Sequence, residues 1–230
     1  MNIQTKELYS HTLHTPSGDI GHVKDLYFDD QSWAVRYVVA DTGTWLSERQ
    51  VLLSPNAFGR LDREAKVLHL HLSKKQIEGS PLIDTHRPVS RQHEEEYYRY
   101  YGWPGYWDGG GMWGVAGVPV LTPPAMPDTS KHHGHNQRDD LHLRSTRAVT
   151  GYHIEATDGP IGSVSGFLLD LKTWTVRDVV VEAGHWYSGK EILIPTAKIA
   201  RIRYEDSKVF VNLTKADIQE TGEHEVARAH

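Results

Sequence analysis

Histidine is the residue of this chain best suited to chemistry, with 15 among 230 residues. His132-His133-Gly134-His135 lies in a Pro/Gly/Ser-rich tract able to chelate a divalent ion adventitiously. His69 and His71 share one face of an expected strand and form a possible two-ligand pair. Neither set brings the third and fourth ligands, or the supporting carboxylate, of a dedicated metal centre. Solvent-exposed histidine is the simpler reading, so no metal and no cofactor is expected. Asp29 and Asp41 are formal candidates for an acid/base pair, but spacing along the chain does not set a carboxylate separation. The sequence contains no Gly-x-Ser-x-Gly elbow, no His-Glu-x-x-His and no dinucleotide fingerprint. Gly109-Gly110-Gly111 gives chain freedom rather than a phosphate loop, because no Lys-Ser/Thr follows it. Zero cysteines exclude disulfides, thiolate metal sites and a cysteine nucleophile. The chain is therefore expected not to be an enzyme.

Groups suited to binding are more numerous. Arg36 and Arg177 sit mid-strand between valines, where a guanidinium can take a carboxylate or phosphate in a bidentate grip. The simpler alternative pairs them locally with Asp29 or Asp170 across the adjacent hairpin. Trp33, Trp174, Trp45 and Trp186 read as core or rim packing ahead of a ligand cage. The densest feature runs from Tyr97 to Trp113, where eight of seventeen residues are aromatic: Tyr97, Tyr98, Tyr100, Tyr101, Trp103, Tyr106, Trp107 and Trp113. Disordered linkers are depleted in such residues because burying them is favourable, so the stretch is expected to contact something. Its own barrels, a protein partner and a membrane interface compete for it. Anionic lipid would repel Glu94-Glu95-Glu96 and Asp108. Just before it, Ser90–Tyr101 is expected to form a short helix that stops at Gly102 and Pro104, with Tyr97, Tyr100 and Tyr101 on one face.

Composition narrows the partners. Lys and Arg number 25 against 30 Asp and Glu, a formal charge of −5. The charge is spread evenly, −1, −2 and −2 over residues 1–81, 82–144 and 145–230. No segment is basic, so the electrostatic footprint of non-specific nucleic-acid binding is missing. No stretch approaches the roughly 18 apolar residues of a spanning helix, and the N-terminus lacks a signal peptide's apolar core. A cytoplasmic location is expected, with membrane contact peripheral at most.

What positions these residues is an internal repeat. Residues 18–58 match residues 159–199 without gaps at an offset of 141, with 14 of 41 positions identical. Gly18/Gly159, Gly21/Gly162, Asp29/Asp170, Trp33/Trp174, Arg36/Arg177, Gly43/Gly184 and Trp45/Trp186 are among the identities. The match resumes at LSKKQI, 72–77, against LTKADI, 213–218, at the same offset. Each copy must supply its own core or share one with its sibling. Units of about 80 residues are marginal alone, which favours pairing of the two through an apolar face.

Within each copy the period is two. Ile20, His22, Lys24, Leu26 and Phe28 fall on one face of a strand, with Gly21, Val23, Asp25 and Tyr27 on the other. Ala34–Ala40 and Thr175–Val181 are rich in β-branched residues. Gln50–Leu53, Glu191–Ile194, Val67–Leu72 and Val209–Leu213 add short strands. Glu7–Leu13 and Val149–Ile154 are expected as the first strands, about six per copy. Gly21 and Gly162 interrupt a strand pattern, which calls for a bulge or a close chain approach. Ser73-Lys-Lys-Gln76 is a capping box and Thr214-Lys-Ala-Asp217 its acidic version. The fold class is all-β: small barrels or sandwiches with short helical turns.

The run G-x-x-I-G-x-V-x-D-x-x-F-D, the Trp-x-Val-Arg-x-Val-Val strand, the Gly-x-Trp corner, a Val-Leu-Leu strand and the final Leu-Ser-Lys-Lys-Gln-Ile resemble the PRC-barrel. That domain is named for the cytoplasmic part of the photosynthetic reaction-centre H subunit, and is also similar to the C-terminal domain of RimM-type ribosome-maturation factors. The resemblance covers about 10–81 and 150–222. The second copy departs at Gly166, where the first has Asp25, and at Leu171, where the first has Asp30. The resemblance implies a six-stranded antiparallel barrel that docks other proteins or itself without catalytic residues. The expected layout is a first barrel at 1–81, a linker with a short helix and the aromatic segment at 82–144, a second barrel at 145–222 and a tail at 223–230. The expected function is a non-enzymatic protein-interaction or assembly module with the two barrels paired within the chain. A peripheral membrane-associated photosynthetic assembly or electron-transfer-complex component and a His-rich metal-binding protein are the alternatives.

Overall fold

In a computed structural model, the residues described are 1–46, 50–80, 91–103, 142–187 and 190–220, the side chains of 91–95 and 186 excepted. The chain divides into two compact units, Met1–Glu78 with His142–His230, and Gly79–Leu141.

The first unit holds both repeats. The chain opens with β1 (Asn2–Gln4) and one helical turn, α1 (Thr5–Leu8). Six strands follow: β2 (Thr12–Thr15), β3 (Gly18–Asp29), β4 (Val35–Asp41), β5 (Gln50–Leu53), β6 (Phe58–Asp62) and β7 (Val67–Leu70), then α2 (Lys74–Glu78). In the second unit lies α3 (Arg91–Tyr101). The second copy repeats the order with β8 (Leu143–Ser145), α4 (Thr146–Val149), β9 (His153–Ala156), β10 (Gly159–Asp170), β11 (Thr175–Ala183), β12 (Glu191–Pro195), β13 (Ile199–Arg203) and β14 (Lys208–Val211). The fold is all-β with short helical turns. The two main sheets run β5-β4-β3-β2-β7-β6 and β12-β11-β10-β9-β14-β13.

Three expectations are corrected. The sheets are not wholly antiparallel: β2 pairs parallel with β7, and β9 with β14. Nor does either ladder close into a ring: the 3-10 turns Pro55–Ala57 and Thr196–Lys198 join β5 to β6 and β12 to β13, and among the described residues neither pair of strands is hydrogen-bonded. The expected first strands Glu7–Leu13 and Val149–Ile154 begin instead as the helical turns α1 and α4, and the strands start at Thr12 and His153. β6 and β13 escape the alternation test because none of their residues is buried, as befits the ends of the two ladders.

Strict alternation in β3 also fails. Ile20, Val23, Leu26 and Phe28 are all buried, because pairing with β2 skips a residue at Ile20 and pairing with β4 slips between Val23 and Asp25. The same bulges recur in β10 at the equivalent residues. A bulge adds one residue and so returns the side-chain phase to the core. Gly21 permits it: its φ is +129°, and a Cβ there would lie 1.9 Å from the Asp41 carbonyl oxygen.

The capping boxes form as read. The Ser73 amide donates to Gln76 Oε1 at 2.9 Å and the Gln76 amide to Ser73 Oγ at 3.4 Å. The Thr214 amide donates to Asp217 Oδ2 at 2.8 Å and the Asp217 amide to Thr214 Oγ1 at 3.2 Å.

Candidate functional site

A cluster of polar and apolar contacts in the first unit lies where the two repeats exchange their N-terminal arms. β1 of the first copy pairs with β10 of the second, Asn2 opposite Asp170 and Gln4 opposite Leu168. β8 of the second copy pairs with β3 of the first, Leu143 opposite Asp29 and Ser145 opposite Tyr27. All four partners are related by the same offset of 141. The Val35 amide donates to the Trp174 carbonyl at 2.7 Å, and the Val176 amide to the Trp33 carbonyl at 2.8 Å. The repeats are thus joined by continuous backbone pairing about a local twofold, with Phe28 and Phe167 packed at 5.4 Å between ring centroids.

Around this frame the side chains are not symmetric. Asp30, 14% exposed, accepts from Tyr204 Oη at 2.7 Å, His142 Nδ1 at 2.9 Å and Arg144 Nε at 3.3 Å. The Arg144 guanidinium also lies 3.5 Å from the centre of the Tyr204 ring, a cation–π contact. Burial and the neighbouring Asp30 carboxylate hold the Tyr204 hydroxyl far above the ordinary phenol range. Asp25 accepts from the Ser145 hydroxyl, from Thr146 Oγ1 at 2.9 Å and from the Arg147 amide at 3.2 Å, tying down the start of α4. Tyr9 Oη shares a 2.7 Å hydrogen bond with Thr146 Oγ1, and burial pushes its hydroxyl up to about 12. These residues were not singled out as a site in the sequence. The signal available was the divergence of Asp25/Gly166 and Asp30/Leu171 in otherwise matching strands.

The two arginines fall in different surroundings. Arg36 is 2% exposed, with Nη1 3.5 Å from Asp29 Oδ2. Asp29 in turn accepts from the amides of Gln31 and Ser32 and so shapes the β3–β4 turn. Arg177 is exposed on β11. Arg36→Ala is expected to destabilise the protein by about 2 kcal/mol, because a desolvated charge pair loses one member. Arg177→Ala should change stability by less than about 0.5 kcal/mol. Urea unfolding of the two variants checks the contrast.

Trp33 and Trp174 both adopt positive φ, 60° and 50°, at the corners of the β3–β4 and β10–β11 turns. Trp174 is buried against Phe58, ring centroids 4.7 Å apart, and Trp33 stacks on Phe28 at 5.5 Å. Trp45 is half-buried under Lys74 Nζ at 5.4 Å, and the Trp186 side chain lies outside the described residues.

In the second unit, α3 brings part of the aromatic segment together. Tyr101 and Trp103 stack at 4.5 Å, Tyr97 meets Tyr101 edge-on at 4.9 Å, and Tyr98 lies 6.5 Å from Trp103. Tyr97 and Tyr98 are buried, while Tyr100 is 44% exposed. Tyr106, Trp107, Trp113 and Gly109–Gly111 lie outside the described residues, as do His132, His133 and His135. His69 faces His14 with ring centroids 5.4 Å apart, and His14 Nδ1 lies 2.6 Å from Asp19 Oδ1. His71 packs under Gly59 instead. Among the described residues no group of three or more His, Asp or Glu is placed to hold a metal ion.

Several surface carboxylates are depressed by hydrogen bonds to ordinary amides and hydroxyls. Asp41 is lowered mainly by the Gly43 amide, Asp170 by the Lys172 amide and Asp217 by the Thr214 hydroxyl. A depressed folded value contributes stability above the unfolded value of about 3.9, lost as pH falls through the folded one. Asp178 has the opposite sign, raised by burial with Arg177 opposing, so its contribution is present at low pH and lost as pH rises. The urea midpoint should therefore fall between pH 5 and pH 3, in the range about one unit either side of the free carboxyl value. Asp178→Asn should raise it at pH 7.

Comparison with known proteins places this architecture. Residues 154–218 match the model of the PRC-barrel domain family, and the second copy is a PRC-barrel domain. The chain is also similar to an uncharacterised protein of Deinococcus radiodurans, 32% identical over 97 residues, covering 36% of this chain and 35% of that one. The chain thus spans about a third of that relative's length. No helix among the described residues is long and apolar enough to cross a membrane.

Proposed function

We propose that the chain is a non-enzymatic protein-interaction or assembly module built from tandem PRC-type barrels, with the aromatic segment that begins on α3 as its docking element. The family match supports the class of role. The observation that carries the docking reading is the ring cluster of Tyr97, Tyr98, Tyr101 and Trp103, which leaves Tyr100 44% exposed at its margin. A rigid aromatic cluster presents large area at little cost in side-chain entropy, which is why Tyr and Trp dominate binding hot spots. Arg177, exposed on β11, is a second contact group of the same reading.

The test is affinity capture from the native host with the full chain, a variant lacking residues 97–113 and Tyr100→Ala. Loss of the same specific proteins in both variants supports the reading. Retention of every specific partner by the deletion variant removes the segment as the recognition element. Flotation with liposomes in parallel separates a protein partner from a membrane surface.

A further inference from the structure

We infer that the arm-exchange junction is a recognition code by which each repeat accepts the other repeat and disfavours a second copy of itself. The backbone of the junction is symmetric and would serve any pairing: Asp30 N–H donates to the His142 carbonyl at 2.9 Å, and Leu171 N–H to the Met1 carbonyl at 2.9 Å, at equivalent positions. Selectivity must therefore come from side chains.

The observed pairing sends the arm bearing His142, Arg144, Ser145 and Thr146 to the edge bearing Asp30 and Asp25. It sends the arm bearing Ile3, Gln4 and Thr5 to the edge bearing Leu171 and Gly166. Ile3 occupies the repeat position of Arg144 and is 1% exposed. Gly166 occupies that of Asp25, and a Cβ on it would come within 3.3 Å of Thr5 Oγ1, which accepts from the Phe167 amide at 3.2 Å. A carboxylate at 166 would meet Thr5 as Asp25 meets Thr146, so this position is neutral and the selectivity rests on the Asp30 side of the junction.

Each self-pairing mismatches these sets. Two second copies would set Arg144 and His142 against Leu171, and Tyr204 would lose its acceptor, leaving charge and hydroxyl partly buried without a carboxylate. Two first copies would set Ile3 against Asp30. Arg63, at the repeat position of Tyr204, and the Met1 ammonium, at that of His142 and now 3.1 Å from Asp170, would then be the cations brought to that edge by equivalence, in place of the three donors Asp30 has now. The ring contact of Phe28 with Phe167 would also be lost, because the equivalents of these residues are Leu169 and Leu26. The second-copy self-pair gives up the carboxylate that Tyr204, His142 and Arg144 share, and the first-copy self-pair gives up those three donors, so only the mixed pair keeps this set together.

The experiment uses the full chain carrying a protease site in place of Gly109-Gly110-Gly111. The purified protein is cut, unfolded in urea, refolded and weighed by native mass spectrometry. About nine-tenths or more of the recovered pairs should contain one of each half, against about half for indifferent halves. A one-to-two-to-one mixture of the three pairs overturns the inference. Where cut halves do not refold, the intact chain decides through a double-mutant cycle of Asp30→Leu and Arg144→Ile. Asp30→Leu should lower the folding constant at least about tenfold more when Arg144 is present than when it is Ile. Effects that multiply to within about twofold would show no pairing between the arm and the edge, and would overturn it equally.

Discussion

Gly21→Ala is expected to unfold in urea with about 3–4 kcal/mol less stability than the parent chain, and Gly162→Ala with a similar loss. Two costs add at these positions. The added Cβ at Gly21 would lie 1.9 Å from the Asp41 carbonyl oxygen, and at Gly162 2.1 Å from that of Glu182. Backbone oxygens of a paired strand cannot swing aside as a flexible side chain can. The conformation itself is the second cost, with φ of +129° at Gly21 and +158° at Gly162. Gly43→Ala is the control: its φ is +52°, but nothing lies within 4 Å of the new methyl, so about 1 kcal/mol is expected. A loss at Gly21 no larger than at Gly43 would mean that β3 and β4 do not approach as closely as described.

Phe28→Ala should cost about 3–5 kcal/mol, and its effect should reach the other repeat. The side chain is fully buried, stacks on Trp33 at 5.5 Å and meets Phe167 of the second copy at 5.4 Å. Removing the ring leaves a cavity beside the local twofold, where β3 and β10 meet and neither can relax without disturbing the arm paired to it. Hydrogen exchange read by mass spectrometry should then show faster exchange in 167–169 as well as in 26–29. Exchange confined to the first copy would show that the repeats are energetically independent. Leu169→Ala, at the equivalent position and equally buried, should produce the mirror result at about 2–4 kcal/mol.

Much of the fold was legible because its causes are local. The β-branched runs 34–40 and 175–181 became β4 and β11, and the capping boxes at Ser73 and Thr214 closed as their residue types require. Gly21 and Gly162 announced a close approach because a side chain is missing where the strand pattern expects one. The burial of Val23 was not legible, since the bulge that rotates it inward is set by pairing with β2 and β4. The separate fates of Arg36 and Arg177 were equally hidden. Identical sequence positions in matching strands left one guanidinium buried on Asp29 and the other in solvent, through the packing around each.

The amino-acid sequence by itself determined the duplication, the all-β class, the turn and cap residues and the lack of a recognisable reaction motif, because each depends on residues close together along the chain or on a simple repeat. Tertiary structure alone decided that the first nine residues of each copy serve the other copy. That outcome depends on contacts more than 100 residues apart, such as Asp30 with Arg144 and Phe28 with Phe167. A short arm such as Asn2–Gln4 carries too few residues for its pattern along the sequence to name the strand it joins, and the backbone edge it meets is open to any strand. The charges of the arm and of β3, Arg144 and His142 with Asp30, meet only once the chain is folded.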